Sequence, residues 1–396
     1  MINAGVGYSS RVDIRQAADE AAGMAVGRIA PRKVDWLLVF GAPRYFRDDL
    51  GRYLRNSSGT KNIIGCSARG IITTEAEHYG VNQIGVLAVS APKLQFCPFY
   101  ENDLQLKNYK IGKKLGALSE NFIFNNAAIC VFPDPFSFKA PLFFRGFSEQ
   151  TGFYPLLGGS ASNTKNKERI TYQLSHDNHS YNALSGFVLS GAMKPVYGVS
   201  QAHYPIGESL LITKAKRNYL IEIEGEPAMQ VMARTLRQHV EQVGGSPPRS
   251  LHIALSVNPE SRLIKRGEYL VRDVLGVDTS KNVLVVDEQL KAGQKMSFAL
   301  ENSYGARENF RTTVKEMQKR APGSTPAFGL LFKCGSRNPS FYNKKNVDLD
   351  IIKEGWGEFP LLGFESSSEI APLKGNNYEH EYSAVLLLVF PQKNIE

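Results

Sequence analysis

The sequence predicts an α/β protein with two pseudo-repeated regions, in which mixed β-sheets carry helices on their outer faces. Short continuous apolar runs, such as residues 36–40 and 127–132, have the length and composition of strands buried on both faces. A second pattern, an apolar run followed by glycine and small hydroxyl residues, occurs at 62–67, 154–162 and 359–370. Three copies of this pattern in one chain indicate an internal repeat.

Each copy belongs to a unit that reads strand, helix, strand, glycine turn, strand. In the first unit a strand near residues 5–8 precedes a helix that Asp13 can cap. An alanine stripe over 13–29 gives this helix its buried face, and Pro31 ends it. The remaining predicted strands lie at 36–40, 84–89, 127–132, 185–190, 327–332 and 382–390, and the helices at 48–55, 141–151 and 348–354.

A region of different character separates the second unit from the third. Pro227 fits the first turn of a helix that continues to about residue 243, and a loop at 244–248 follows. A composition change near 224–227 predicts a division into residues 1–225 and 226–396. The predicted strands are 197–201, 208–213, 219–224, 251–257, 269–273, 283–287 and 295–300, and a helix at 309–320 precedes the third unit.

Length and composition restrict the class of protein. A chain of 396 residues is too long for one ordinary core. Lysine and arginine exceed the acidic residues by 47 − 38 = 9, but they are scattered, so we expect no nucleic-acid binding. Four well-separated cysteines without a CxxC motif predict a reducing, cytoplasmic location. The chain shows neither a signal-like start nor a membrane-spanning run, and no nucleotide-binding motif, so we expect no membrane insertion and no cofactor.

Short motifs along nearly the whole chain occur in the order and spacing of a known family. They include GVGYS at 5–9, IGCS at 64–67, GVSQ at 198–201, PIGE at 205–208, YLVRD at 269–273, LFKCGSR at 331–337, PLLGF at 360–364, SEI at 368–370 and HEYSA at 380–384. The sequence resembles an N-terminal FIST region followed by a C-terminal FIST region, without an F-box. This resemblance implies a sensory protein of signal transduction that binds a small polar ligand, such as an amino acid, and acts on an unidentified signalling partner.

The third glycine turn is where we expect a charged ligand to bind. Glu369 lies at the offset from Gly363 that Ile71 has from Gly65, and the second turn has Thr164 there. A carboxylate at this place therefore occurs only in the third copy. The expected ligand-binding residues are Cys334, Gly335, Arg337, Gly363, Glu365, Ser366, Ser367, Ser368, Glu369, His380 and Tyr382, with Gly65, Cys66 and Ser67 from the first turn.

Arg337 and Glu369 suit a zwitterionic ligand. The guanidinium of Arg337 can form two parallel hydrogen bonds to a carboxylate, and Glu369 can hold an amine. Backbone N–H groups at Gly363 and at residues 366–368 can add further contacts. The alternative is a salt bridge between Arg337 and Glu369 that ties two loops together.

Two further functions stay open at this level. Cys334 or Cys66 can act as a nucleophile if a base such as His78 or His380 lies near, although the two cysteines occupy different places in their units. A protein-interaction scaffold would instead show a large exposed apolar patch. His176 and His179 lie in a polar stretch that reads as a solvated loop, so no metal site and no catalytic residue are assigned.

Overall fold

The chain forms two compact units in a computed structural model that describes residues 1–47, 49–163, 169–243, 250–258 and 264–392. The larger unit comprises Met1–Ser200, Phe310–Glu379 and Ser383–Glu396, and the smaller comprises Gln201–Asn309 and His380–Tyr382. Helices and mixed sheets occur throughout, which confirms the predicted α/β class. Across the described ranges, we find no helix long and apolar enough to cross a membrane. The division at residue 225 stays a prediction.

The first segment of the larger unit follows the predicted order. Asp13 caps its first helix by accepting a hydrogen bond from the Gln16 N–H at 2.9 Å, and the alanine stripe is buried as predicted. The elements are β1 (Asn3–Ser9), α1 (Ile14–Gly27), β2 (Trp36–Gly41), a 3₁₀ turn (Pro43–Tyr45), α2 (Leu50–Ser58), β3 (Ile63–Ser67), β4 (Gly70–Ile72), β5 (Glu77–Tyr79) and β6 (Ile84–Ser90).

The second segment contains a strand and a long helix that the sequence analysis missed. Its elements are β7 (Leu94–Asn102), α3 (Leu104–Ser119), a 3₁₀ turn (Ile123–Asn125), β8 (Ala128–Pro133), α4 (Ala140–Thr151), β9 (Leu156–Gly159), β10 (Gln173–Ser175), β11 (Asn178–Ser180) and β12 (Ala183–Gly191). Gly112 and Gly116 lower the helix propensity of α3. Their role is close packing, since a Cβ atom at Gly112 would lie 2.1 Å from the Phe143 carbonyl oxygen on α4.

The smaller unit is built on one seven-stranded sheet and a helix. After β13 (Met193–Gln201), its elements are β14 (His203–Lys216), β15 (Tyr219–Ile223), β16 (Glu226–Pro227), α5 (Ala228–Val243), β17 (His252–Ser256), β18 (Tyr269–Asp278), β19 (Val283–Val286) and β20 (Lys295–Glu301). The strand order is β14-β20-β17-β18-β19-β15-β16, and β14 also pairs with β15. The predicted loop at 244–248 lies outside the described residues.

The third segment returns to the larger unit and again follows the predicted order. Its elements are α6 (Ser303–Arg320), which starts in the smaller unit, β21 (Phe328–Cys334), α7 (Pro339–Tyr342), α8 (Val347–Trp356), β22 (Leu361–Ser366), β23 (Glu369–Leu373), β24 (Asn376–His380) and β25 (Ser383–Pro391).

The three sheets of the larger unit share one strand order, and each includes a hairpin from a different segment. The orders are β1-β6-β2-β3-β10-β11, β7-β12-β8-β9-β23-β24 and β13-β25-β21-β22-β4-β5. The hairpin that follows β3 therefore joins the third sheet, the one after β9 joins the first, and the one after β22 joins the second. Each segment therefore contributes a hairpin to the sheet of another segment, and these hairpins link the three segments.

A cluster of phenylalanine rings joins the three segments at their centre. Phe40, Phe132 and Phe332 are the last large apolar residues of β2, β8 and β21, and all three are buried. Their ring centroids lie 5.3 Å apart for Phe40 and Phe132, 5.7 Å for Phe132 and Phe332, and 6.5 Å for Phe40 and Phe332. All three segments therefore contribute to one shared hydrophobic cluster.

We expect Phe132→Ala to lower the free energy of unfolding by about 3–5 kcal/mol, because the lost ring leaves a cavity at this centre. Phe136 is 51% exposed, so the control Phe136→Ala should change it by no more than about 0.5 kcal/mol. Urea denaturation followed by circular dichroism measures both. Equal effects of the two substitutions would contradict a shared core at Phe132.

Candidate functional site

The three glycines mark places where paired parallel strands approach closely. Gly65 lies opposite Val39, Gly158 opposite Val131, and Gly363 opposite Leu331. A Cβ atom at these glycines would come within 1.8, 2.1 and 2.2 Å of the facing carbonyl oxygens. The strands also continue past each glycine, to Ser67, Gly159 and Ser366. The prediction of a turn at the glycine is therefore wrong, because the glycine permits strand contact and the chain turns later.

The segments that follow the glycines come together and hydrogen-bond to one another. The N–H of Ser162 donates to the Ser67 carbonyl at 3.0 Å, and the N–H of Ser160 donates to the Ser368 carbonyl at 2.8 Å. The Ser67 hydroxyl donates to the Ser162 carbonyl at 3.3 Å. Ser367 donates its N–H to Ser160 at 3.1 Å. The N–H of Ser367, one of the backbone groups predicted to bind a ligand, therefore binds the second segment.

Arg337 is fully buried and forms a two-pronged ion pair with Asp348. Its Nη2 and Nε atoms lie 2.8 and 3.2 Å from the two carboxylate oxygens. Burial opposes the charge, but the Asp348 carboxylate holds the pKa of Arg337 above its usual range. Burial likewise disfavours ionised Asp348, but Arg337 and Lys333 keep its pKa below the ordinary value. Arg337 therefore pairs with the first turn of α8, whereas one of the two alternatives from the sequence was a bridge to Glu369.

Lys333 extends this buried charge cluster to the first segment. Its Nζ lies 2.8 Å from a Glu77 oxygen and 3.8 Å from Asp348, and it donates to the Arg337 carbonyl at 2.9 Å. Glu77 belongs to the hairpin β4–β5, which the first segment contributes to the third sheet. The ion pairs therefore link two segments.

Glu369 is enclosed by hydroxyl groups. It accepts hydrogen bonds from the Ser366 hydroxyl at 2.6 Å, the Ser383 hydroxyl at 2.7 Å and the Ser383 N–H at 3.1 Å. Burial raises the pKa of Glu369 to about 8, against the opposing effect of these hydrogen bonds. Both Arg337 and Glu369 are fully buried and have protein partners, so their predicted role as direct contacts for a zwitterion stays a prediction. Thr164, at the corresponding place in the second segment, lies outside the described residues.

A second charge pair lies closer to solvent. Arg69 Nε lies 3.2 Å from Glu365 Oε2, and the exposed fractions of the two side chains are 32% and 5%. Within the described residues, the other oxygen of Glu365 is buried without a hydrogen-bond donor. Burial raises the pKa of Glu365, although Lys333 and Arg69 oppose this shift.

Gly335 and Ser162 position the Arg69–Glu365 pair. A Cβ atom at Gly335 would lie 1.0 Å from Arg69 Nη2, so the guanidinium fills the space above this glycine. Ser162 receives a hydrogen bond from the Arg69 N–H at 3.0 Å and donates its hydroxyl to the Glu365 carbonyl. All three segments therefore contribute to one place. We call Arg69, Ser162, Gly335 and Glu365 the junction site.

The remaining predicted residues differ in burial and do not all belong to the same unit. Cys334 is half-buried directly before Gly335, and the Ser336 hydroxyl donates to its Sγ at 3.1 Å. Cys66 is fully buried, and burial raises the pKa of its thiol well above the ordinary value, which disfavours it as a nucleophile. His380 and Tyr382 belong to the smaller unit.

Of the predicted bases, His78 packs against an aromatic ring, and the histidine-rich stretch forms part of a hairpin. The rings of His78 and Tyr8 stack with centroids 3.7 Å apart. His176 and His179 lie in and beside the turn of the hairpin β10–β11 rather than in a plain loop. No group of three or more potential metal ligands occurs among the residues that the structure describes.

The sequence analysis missed four charged residues of this region: Arg69, Glu77, Lys333 and Asp348. Lys333 carried a readable signal, because it is a charged residue within the otherwise apolar strand β21. Its partner Glu77 was not predictable, since the hairpin exchange that brings it to the third sheet leaves no local pattern.

Comparisons with known proteins cover most of the chain. The profile of the FIST N domain matches residues 35–226, and that of the FIST C domain matches residues 228–372. An uncharacterized protein of Mycobacterium tuberculosis is 27% identical over 390 residues, covering 97% of this chain and 98% of the relative. An uncharacterized protein of Mycobacterium bovis is 28% identical over 396 residues, with the same coverage.

Two solved structures show a weak likeness. Cyanuric acid hydrolase from A. caulinodans aligns with a TM-score of 0.35 and 9% identity, covering 99% of this chain and 100% of that chain. PurLQS from Thermotoga maritima aligns with a TM-score of 0.24 and 9% identity, covering 98% and 72%. These scores are too low to inform the fold or function of this protein.

We expect Arg337→Ala and Asp348→Ala each to lower the free energy of unfolding by about 3–5 kcal/mol, because each leaves a buried charge without its main partner. The double variant should lose less than the sum of the two. Chemical denaturation of all four proteins measures the coupling energy. The exposed pair Lys344–Asp350, with 63% and 41% exposed side chains, is the matched control and should couple by no more than about 1 kcal/mol. Additive single effects at Arg337 and Asp348 would contradict the buried pair.

Glu369 should make stability fall with rising pH. Its pKa is about 8 in the folded protein against an ordinary 4.5, so the folded state retains a proton that the unfolded chain loses. This contribution is complete below about pH 4.5 and declines as pH rises towards 8. Relative to Glu369→Gln, the wild type should lose up to roughly 1.4 kcal/mol per pH unit in this window. Parallel pH profiles from thermal denaturation of the two proteins would contradict this assignment.

Proposed function

Because the chain belongs to the FIST family, whose domains are associated with sensory roles in signal transduction, we propose that it binds a small zwitterion such as an amino acid at the junction site. The observation that supports this proposal most directly is the Arg69–Glu365 pair. It places a cation and an anion side by side where three chain segments meet. The Arg69 side chain is partly exposed and is therefore accessible to a ligand, whereas Arg337 and Glu369 are fully buried.

In this proposal the ligand separates Arg69 from Glu365 and binds both side chains. Its carboxylate binds the Arg69 guanidinium, which suits two parallel hydrogen bonds. Its ammonium group takes the place of the guanidinium at Glu365 and satisfies the carboxylate oxygen that has no donor among the described residues. The net charge of the site does not change, because the zwitterion carries no net charge. Each of the two side chains keeps an oppositely charged partner. Arg69 has the long, partly exposed side chain that such a movement needs.

Several of the other predicted residues form the surroundings of the ligand rather than its charged contacts. Ser367 is exposed and Cys334 and Ser336 are half-buried, so these side chains supply polar walls. Arg337 and Glu369 lie beneath the ligand. Arg337 is fixed by its ion pair with Asp348, and Glu369 is fixed by hydrogen bonds from serine hydroxyls. In this arrangement Gly65, Gly158 and Gly363 set the backbone spacing and do not themselves touch the ligand.

Binding at the junction site can change the hairpin β4–β5. Arg69 directly precedes β4 (Gly70–Ile72), and this hairpin carries Glu77 to Lys333. A ligand that releases Arg69 from Glu365 removes one of the attachments of the hairpin to the third segment. We propose that this release is the signal passed to a partner protein. The four cysteines are free thiols, which supports a reducing cytoplasmic location as part of the proposal.

The test is isothermal titration of the full chain with a panel of amino acids. We expect saturable heat for at least one member, and a loss of affinity of tenfold or more in Arg69→Gln and in Glu365→Gln, since each removes one charge that the zwitterion needs. Arg55→Gln is the matched control, because the Arg55 side chain is also 32% exposed and paired to a carboxylate. It should bind like the wild type.

Arg337→Ala is a poor test of binding because it breaks a buried ion pair. Circular dichroism must show that Arg69→Gln and Glu365→Gln are folded. Absence of heat for every amino acid at millimolar concentration would sink the proposal. So would an equal loss of affinity in Arg55→Gln.

A further inference from the structure

A large cleft lies beside the first sheet, lined by none of the junction residues. Its volume is 920 Å³, which falls within the range of small-molecule sites. Residues 10–14 form one wall, and Arg44, Tyr45 and Arg47 form another. Neither the family match nor the proposed amino-acid site assigns a role to this cleft.

Sheet topology explains why basic loops meet here. Strands β1 and β2 both run antiparallel to β6, so their carboxyl ends lie at the same edge of the sheet. The loop after β1 supplies Arg11, and the loop after β2 supplies Arg44 and Arg47. The carboxyl ends of strands are the usual place of ligand sites in open α/β sheets.

The acidic side chains of the cleft already have protein donors. Glu20 accepts a hydrogen bond from the Ser9 hydroxyl at 2.5 Å and lies 3.4 Å from Arg11 Nε. Asp13 accepts from the Gln16 N–H at the start of α1. This hydrogen bond caps the N-terminus of α1. The positive charge of the cleft therefore comes from its arginines and not from the helix N-terminus.

Arg44 and Arg47 leave positive charge in the cleft. The Arg44 guanidinium donates to the amide oxygen of Asn82, a neutral partner that does not cancel its charge. Arg47 is exposed on the same wall. Tyr45 between them is buried, and its phenol donates to the Arg11 carbonyl, so the two walls are fixed to each other.

We propose that this cleft binds a phosphate-bearing small molecule of mononucleotide size. Guanidinium groups match phosphate oxygens in geometry and charge, and Arg44 and Arg47 supply two of them to the cleft. Val12 and Ile14 add apolar surface to the opposite wall, which suits the uncharged part of such a ligand. The site is a second one, separate in residues and in ligand chemistry from the junction site.

The test titrates the full chain with adenosine monophosphate and with pyrophosphate, each as a defined probe. We expect saturable binding of at least one probe. The affinity for that probe should fall tenfold or more in the double variant Arg44→Gln/Arg47→Gln, and it should fall measurably in Arg47→Gln alone. Arg52→Gln is the control, since Arg52 is 54% exposed on α2 and does not line the cleft. All variants alter exposed side chains and should keep the thermal stability of the wild type.

Two results would overturn the proposal. The first is the absence of saturable heat with both probes at millimolar concentration. The second is a loss of affinity in Arg52→Gln equal to that in the double variant. The outcome is independent of the amino-acid proposal, because Arg44→Gln/Arg47→Gln leaves Arg69 and Glu365 intact and Arg69→Gln leaves the cleft intact.

Discussion

The larger unit depends on the close approach of paired parallel strands at Gly65, Gly158 and Gly363. At each glycine the space that a side chain would need is taken by a backbone carbonyl of the neighbouring strand. This spacing lets the three segments meet around the phenylalanine cluster and lets the residues after each glycine hydrogen-bond to another segment. A larger residue at these places would separate the strands, and the hydroxyl contacts between segments would be lost with them.

The buried charges are costly, and their value lies in specificity. Removing an ion from water is compensated only when its partners are well placed. Lys333 finds its nearest carboxylate on Glu77, which arrives with a hairpin from another segment. If the hairpin of a different segment joined the third sheet, Lys333 would lack this partner. The charge cluster therefore favours the native exchange of hairpins among three sheets of equal strand order.

Short-range sequence patterns predicted the strands and helices that depend on neighbouring residues. The buried strands around Phe40, Phe132 and Phe332 and the capped helix after Asp13 follow from composition and spacing. Helix α3 was missed because its glycines read as weak helix formers, although they serve contact with α4. The exchange of hairpins and the choice of Asp348 as the partner of Arg337 depend on contacts between distant parts of the chain. Short-range patterns do not encode such contacts, so the charged residues of the site were only partly predictable.

The third segment differs from the other two where the site lies, and the differences are chemical rather than architectural. Across the parallel ladder, Lys333 faces Glu365 at the place where Gly41 faces Ser67 in the first segment. Glu369 likewise occupies the offset that Ile71 has in the first segment. The backbone pattern is retained while acidic and basic residues replace small or apolar ones. A repeated scaffold supplies the same strand spacing three times, so one copy can carry ionisable groups beside a core to which all three contribute. This division of roles explains why the charge pairs cluster on one segment and why their partners, Glu77 and Arg69, come from another.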